Sequence, residues 1–153
     1  MKFSLGILLV ILMTNCGMKR HQTNENDMAS EDMPKTTKVV KVKAKIGALG
    51  QETDPLTITA VEVRGNLLYI DVEYTGGCLE HEFEVIGSEN LLKSLPPIRG
   101  IELIHRNMSD QCKVIEKRKL EIDITDLAYM KEKGSEIHFT LPGWKEKIIY
   151  KYC

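Results

Sequence analysis

Cys78 and His81 stand three residues apart in the run Gly76-Gly77-Cys78-Leu79-Glu80-His81-Glu82-Phe83. A second run, His105-Arg106-Asn107-Met108-Ser109-Asp110-Gln111-Cys112, carries the same two residue types and adds a carboxylate. Thiol, imidazole and carboxylate groups in this grouping support three chemistries. Cys78 and Cys112 can join as a disulfide, leaving two neutral histidines hydrogen-bonded to each other, to Asp110 or to backbone. Cys78, His81, His105 and Cys112 can together bind zinc or copper, with Asp110 orienting the ligands from behind. Cys78 can serve as a nucleophile, with His81 or His105 as base and Asp110 as orienter.

These groups meet only if the intervening chain brings them together, and the pattern around them is that of short strands. After the Gly76-Gly77 turn signal, Leu79, His81, Phe83 and Val85 fall on one face and Glu80, Glu82 and Glu84 on the other. Three carboxylates belong in water, so His81 points inward. Ile101, Leu103 and His105 share a face in the same way, opposite Glu102 and Arg106. The folded part opens with Val40, Val42, Ala44 and Ile46 alternating with Lys41, Lys43 and Lys45, a lysine face that suits a sheet edge. Val61 and Val63, then Leu68, Ile70, Val72 and Tyr74, flank Gly65-Asn66. A two-residue turn there pairs position 63 with 68 and 61 with 70. Leu91 to Pro97 reads as irregular, with room for one helical turn. Further strands follow at Leu120-Ile122-Ile124, at Ile137-Phe139-Leu141 around His138, and from Ile148 to Tyr152. About eight short strands without a long amphipathic helix predict an all-β fold, an antiparallel β-sandwich of immunoglobulin-like type. No internal repeat points to a propeller or solenoid.

The start of the chain sets the compartment. Met1-Lys2 is a short positive segment, and Leu5 to Met13 is an apolar run of nine residues. That is too short to span a bilayer and suits a secretory signal. Leu12-Met13-Thr14-Asn15-Cys16 resembles the lipobox of bacterial lipoproteins, with Met13 in place of the usual leucine and Asn15 in place of a smaller residue. The resemblance implies a signal peptide over 1–15, a lipidated N-terminus at Cys16, and a stable multi-chain membrane anchor. Gly17 is not the aspartate that marks inner-membrane retention in enteric bacteria, so an outer-membrane location, periplasmic face or cell surface, is expected. The polar, hydrophobe-poor stretch up to residue 37 reads as a tether, and 38–153 as the β-sandwich domain. Tyr74 to Cys78 with His81 and Phe83, then Ser94-Leu95-Pro96-Pro97, then His105, Asp110 and Cys112, resemble a group of small uncharacterised lipoproteins of Bacteroidota. That resemblance adds location and no mechanism.

An exported chain favours the disulfide. With Cys16 given to lipid, Cys78, Cys112 and Cys153 remain, and the first two flank the inward histidines. The metal spacing matches no known finger pattern and requires Cys78 in a turn, since i and i+3 of a strand face opposite ways. Catalysis needs a reduced thiolate and an oxyanion hole, for which the sequence offers no signal. With 21 basic and 22 acidic residues the net charge is −1, which carries no nucleic-acid footprint. His21 lies in the tether and His138 faces outward. Trp144 and Tyr69 with Leu67 are aromatic or apolar candidates for partner contact, while Lys145, Lys147 and Lys151 read as a solvated face. The expectation is a lipid-anchored, non-enzymatic module without a cofactor, binding a protein or glycan partner. The alternative is a zinc- or copper-binding lipoprotein using the Cys/His cluster.

Overall fold

A strand that alternates apolar and polar residues buries one face only, so two such sheets stack with their apolar faces together. The computed structural model describes residues 38–153. The expected signal peptide, Cys16 and tether therefore lie outside the described residues. Nine strands follow in order: β1 (Lys38–Lys43), β2 (Lys45–Gly47), β3 (Thr57–Arg64), β4 (Leu67–Gly76), β5 (Glu82–Leu92), β6 (Ile98–Arg106), β7 (Val114–Asp123), β8 (Glu136–Thr140) and β9 (Ile148–Lys151). A 3-10 turn, Thr125–Leu127, is the only helical piece among the described residues.

The strands form two open sheets, β1-β7-β4-β3 and β2-β5-β6-β8-β9. The all-β sandwich is as expected, with one correction. The sheets are mixed, because β1 pairs with β7, β2 with β5 and β6 with β8 in parallel. Alternation shows which face of a strand is buried and is silent on the direction of its neighbour. The β3–β4 hairpin has the predicted register, Val63 opposite Leu68 and Val61 opposite Ile70.

The core forms where the inward faces meet. Leu68, Ile70 and Val72 of β4 and Leu120 and Ile122 of β7 lie against Val85 of β5, Ile101 of β6, Ile137 and Phe139 of β8, and Tyr150 of β9. Each such side chain contributes roughly 1.5–3 kcal/mol on burial. The first alternating run is cut in two by the sandwich itself. Val40 and Val42 pack against the core from β1, and buried Ala44 is the crossing point, its N–H donating to the Asp123 carbonyl at 2.9 Å. The chain then joins the other sheet as β2, which leaves Ile46 39 % exposed. Lysines on these edge strands pair with Glu121, Asp126 and Glu84. Such exposed pairs are worth little energetically but discourage another chain from adding to the edge.

Two further expectations change. Leu91 and Leu92 belong to β5, which continues past a register shift between Gly87 and Leu91, so no helical turn forms there. Leu79 is exposed, because β5 begins only at Glu82. At the opposite end of β6 from His105, buried Arg99 donates from Nε to the Leu127 carbonyl at 3.1 Å and from Nη1 to the Ser88 carbonyl.

Candidate functional site

β4 runs out at Gly76, and β7 starts opposite it, with Val114 paired to Gly76. The two cysteine-bearing segments are thus the connections at one end of the sandwich: residues 77–81 between β4 and β5, and 107–113 between β6 and β7. Cys78 and Cys112 are joined in a disulfide with their Cα atoms 5.9 Å apart. Cys153 is free and exposed.

Asp110 organises both segments. Its Oδ2 accepts the backbone N–H groups of Gly77, Cys78 and Leu79, each at 2.9 Å, and its Oδ1 accepts that of Cys112 at 2.9 Å. Successive amides turned toward one point make an anion cradle, and here the chain fills the cradle with its own carboxylate. Gly77 takes φ of +111° to close it, a conformation that glycine adopts without strain. The Leu79 and Cys112 N–H groups, with those of Cys78 and the His81 ring, hold the Asp110 carboxyl well below the usual carboxylate range.

Both histidines point inward, as their strand parity predicts, with His81 8 % and His105 1 % exposed. His81 Nε2 lies 3.2 Å from Asp110 Oδ2, and His81 Nδ1 lies 2.7 Å from His105 Nε2. His105 Nδ1 lies 3.3 Å from the Asp54 carbonyl oxygen. Tyr74 stacks on His81 with ring centroids 4.5 Å apart, and Phe83 stacks on His105 at 5.1 Å. Gly76 makes this packing possible, since a Cβ there would fall 2.5 Å from the His81 ring. Burial pushes the His105 imidazole down from its ordinary value, with the Asp54 carbonyl opposing and His81 adding to the shift.

The connection from β2 to β3, residues 48–56, completes the site. The Asp54 N–H donates to the His105 carbonyl at 2.8 Å, the His105 N–H to Thr53 Oγ1 at 2.9 Å, and the Asn107 N–H to Asp54 Oδ2 at 2.7 Å. Sequence reading missed Thr53 and Asp54, although a Thr-Asp-Pro run is a turn signal that offers side-chain acceptors. Beside them lies a cleft of about 350 Å³ lined by Gln51, Asp54, Leu56, Ile58, Leu103 and Pro142.

Cys78, His81, His105, Asp110 and Cys112 are thus brought to one end of the sandwich, where the ligand atoms of Cys78, Asp110 and Cys112 lie within 4.8 Å of one another. The two sulfurs are bonded to one another, and the ring nitrogens face each other, Asp110 and a carbonyl. Elsewhere, His138 faces outward and pairs with Glu136 at 2.9 Å. Trp144 is half-buried against the core, Tyr69 lies under the Arg64 guanidinium, and Lys145 and Lys147 are exposed. Cys16 and His21 lie outside the described residues.

No protein-family model matches the chain, and no curated protein matches it in sequence. Among solved structures it is similar to a NigD-like immunity protein from Bacteroides caccae, with TM-score 0.56 and 14 % identity over 74 % of this chain and 64 % of that one. A protein of unknown function from Bacteroides vulgatus aligns with TM-score 0.49 and 13 % identity over 76 % of this chain and 58 % of the other. A putative toxin-related protein from Parabacteroides distasonis aligns with TM-score 0.45 and 18 % identity over 72 % of this chain and 61 % of the other. All three come from Bacteroidota. The chain spans less than two thirds of the length of each. At these identities the first likeness shows the sandwich fold alone.

Proposed function

We propose that the chain is a non-enzymatic β-sandwich module of the cell envelope, anchored through lipid on Cys16, that docks a protein partner with its disulfide-bonded end. One observation carries this reading. The disulfide and the Asp110 cradle fix two connections that hold large apolar side chains out in water, Leu79 at 51 % and Met108 at 49 % exposure. Met108 and Ser109 are both held at positive φ, 53° and 62°. Non-glycine residues kept in that region cost energy and gather at functional sites. Val114 and Ile115 at the start of β7 add exposed apolar area at the same end.

Apolar side chains on a rigid frame suit the centre of a protein interface. A glycan platform would ask for exposed aromatic rings at this end; Trp144 is half-buried against the core, and exposed Tyr129 follows the 3-10 turn outside the two cysteine-bearing connections. The commitments of the cysteines and ring nitrogens favour this reading over both a Cys/His zinc or copper centre and a Cys78 nucleophile.

The test is site-specific photo-crosslinking in the native envelope, with the reactive residue placed at Leu79, Met108 or, as control, Lys133 on the far connection. A discrete crosslinked protein from the first two positions and none from the control is expected. Equal labelling from all three, or a hydrolytic activity lost in Cys78→Ala, overturns the proposal.

A further inference from the structure

β6 changes neighbours along its length. β5 flanks one side, and on the other β8 pairs with Ile98, Arg99 and Gly100. Toward the far end the connection 48–56 takes the place of β8. There the His105 N–H donates to Thr53 Oγ1, and the His105 carbonyl accepts the Asp54 N–H. These two bonds fix the direction of the backbone groups in β6. In an antiparallel pair, the N–H and C=O of successive residues point alternately toward the partner strand and away from it. Those of His105 point away from β5, so those of Leu103 do too. The Pro97 carbonyl has the same parity and the same direction, and it accepts the His138 N–H at 3.0 Å. Leu103 therefore aims one donor and one acceptor into the cleft beside Leu56, Ile58 and Pro142. Among the described residues no group bonds to either. Leu103 is 8 % exposed, and buried backbone groups call for partners.

We propose that this interval of β6 receives a short extended peptide from a protein partner, added as a strand in line with β8. The guest backbone accepts from the Leu103 N–H and donates to the Leu103 carbonyl. The interval, residues 101–104, is roughly 13 Å long at the rise of a strand, room for about four guest residues. This inference is independent of the docking of a partner through Leu79 and Met108.

The walls set the chemistry of the guest. Side chains directly opposite on neighbouring strands share a face. The guest residue opposite Leu103 faces inward, against Leu56 and Ile58, and is apolar. The next guest residue faces outward beside Glu102, whose Oε2 is held by the Gly50 N–H at 2.8 Å. Asp54 lines the same cleft, and among the described residues no lysine, arginine or histidine does. Arg106 reaches Gln51 at the rim and is itself paired with Glu84. The outward guest residue is therefore Lys or Arg. Other strands carry the devices that discourage such addition. Lysines of β1 and β2 are paired with carboxylates, and β3 is broken by a register shift between Ile58 and Ala60. The β6 interval instead offers carboxylates and an apolar floor.

The probe is an array of terminally blocked tetrapeptides in which an aliphatic residue is flanked by Lys, Arg, Gln or Glu, offered to the full chain in lipid nanodiscs. Retention of the Lys and Arg peptides over their Glu counterparts is expected. A retained peptide, added to 15N-labelled chain at about ten times its dissociation constant, should shift the Leu103 amide signal and slow its hydrogen exchange about tenfold. Methylating the peptide's backbone nitrogens should weaken binding at least about tenfold, because the bond to the Leu103 carbonyl is lost. Glu102→Gln keeps an acceptor for the Gly50 N–H. It should weaken the Lys peptide about threefold, the scale of an exposed ion pair, and leave the Gln peptide unchanged. Retention of no peptide, equal retention of the Glu peptides, undiminished binding after methylation, or an unmoved Leu103 amide each overturn the proposal. Shifts confined to Leu79 and Met108 also overturn it, and leave the docking reading standing.

Discussion

The site is assembled from contacts that allow no extra atoms. Gly76 shows this most directly, since its hydrogen lies where any Cβ would press on the His81 ring at 2.5 Å. Moving that ring would also break its line with His105 and Asp110. Gly76→Ala is therefore expected to destabilise the fold by about 1–3 kcal/mol, the usual cost of overfilling a packed site. Urea unfolding checks the value, and a loss below roughly 0.5 kcal/mol would show that His81 has room to shift. The parity of residues 81 and 105 already places both imidazoles inside. What the sequence cannot spell is the rest of the network. Four amides and the Asp54 carbonyl carry most of it, and backbone groups have no letter of their own.

At the scale of elements, the disulfide and Asp110 act on the same two connections, one covalently and one through backbone N–H groups. The bond closes a separation of 34 residues, which in the chain-entropy model stabilises by about 3–4 kcal/mol. A Cys78→Ala, Cys112→Ala chain should lose about that much in chemical denaturation. Reductant should lower the midpoint of the native chain and leave the double variant unmoved. Apart from the end of β5, strand alternation made β3 through β9 readable, down to the register of the β3–β4 hairpin. Three features escaped it, each for a physical reason. Parallel neighbours leave no mark in a period of two. The β1–β2 run is a single alternating pattern that crosses between sheets at Ala44. Nothing in the alternation marks Arg99, which two carbonyls at the end of the second sheet allow to be buried.

For the molecule as a whole, Asp110 and His105 make the fold acid-sensitive in two steps of the same sign. Burial lowers His105, so below about pH 6.5 the unfolded chain binds that proton better and stability falls toward the folded midpoint. Asp110 is also lowered. Its contribution is fully present above the ordinary value of 3.8 and is lost as pH falls further, through its folded value. Unfolding curves collected from pH 8 to pH 2 should show both losses, and Asp110→Asn should remove the lower one. A stability that rises on acidification from pH 7 to pH 5 would contradict the His105 assignment. The chain enters this fold at a telling place. Lys38, the first residue of β1, lies opposite Arg118 in a parallel pair and holds Glu80 of the cradle segment through its ammonium group. Lys38 itself therefore lies beside the disulfide end. If Cys16 carries the lipid, the 22 residues from 16 to 37 can reach no farther than about 80 Å. On the proposed reading, the disulfide end would be confined to that distance from the bilayer. A partner fixed in that same membrane would meet it at an effective concentration on the order of millimolar, so even a weak contact would stay occupied.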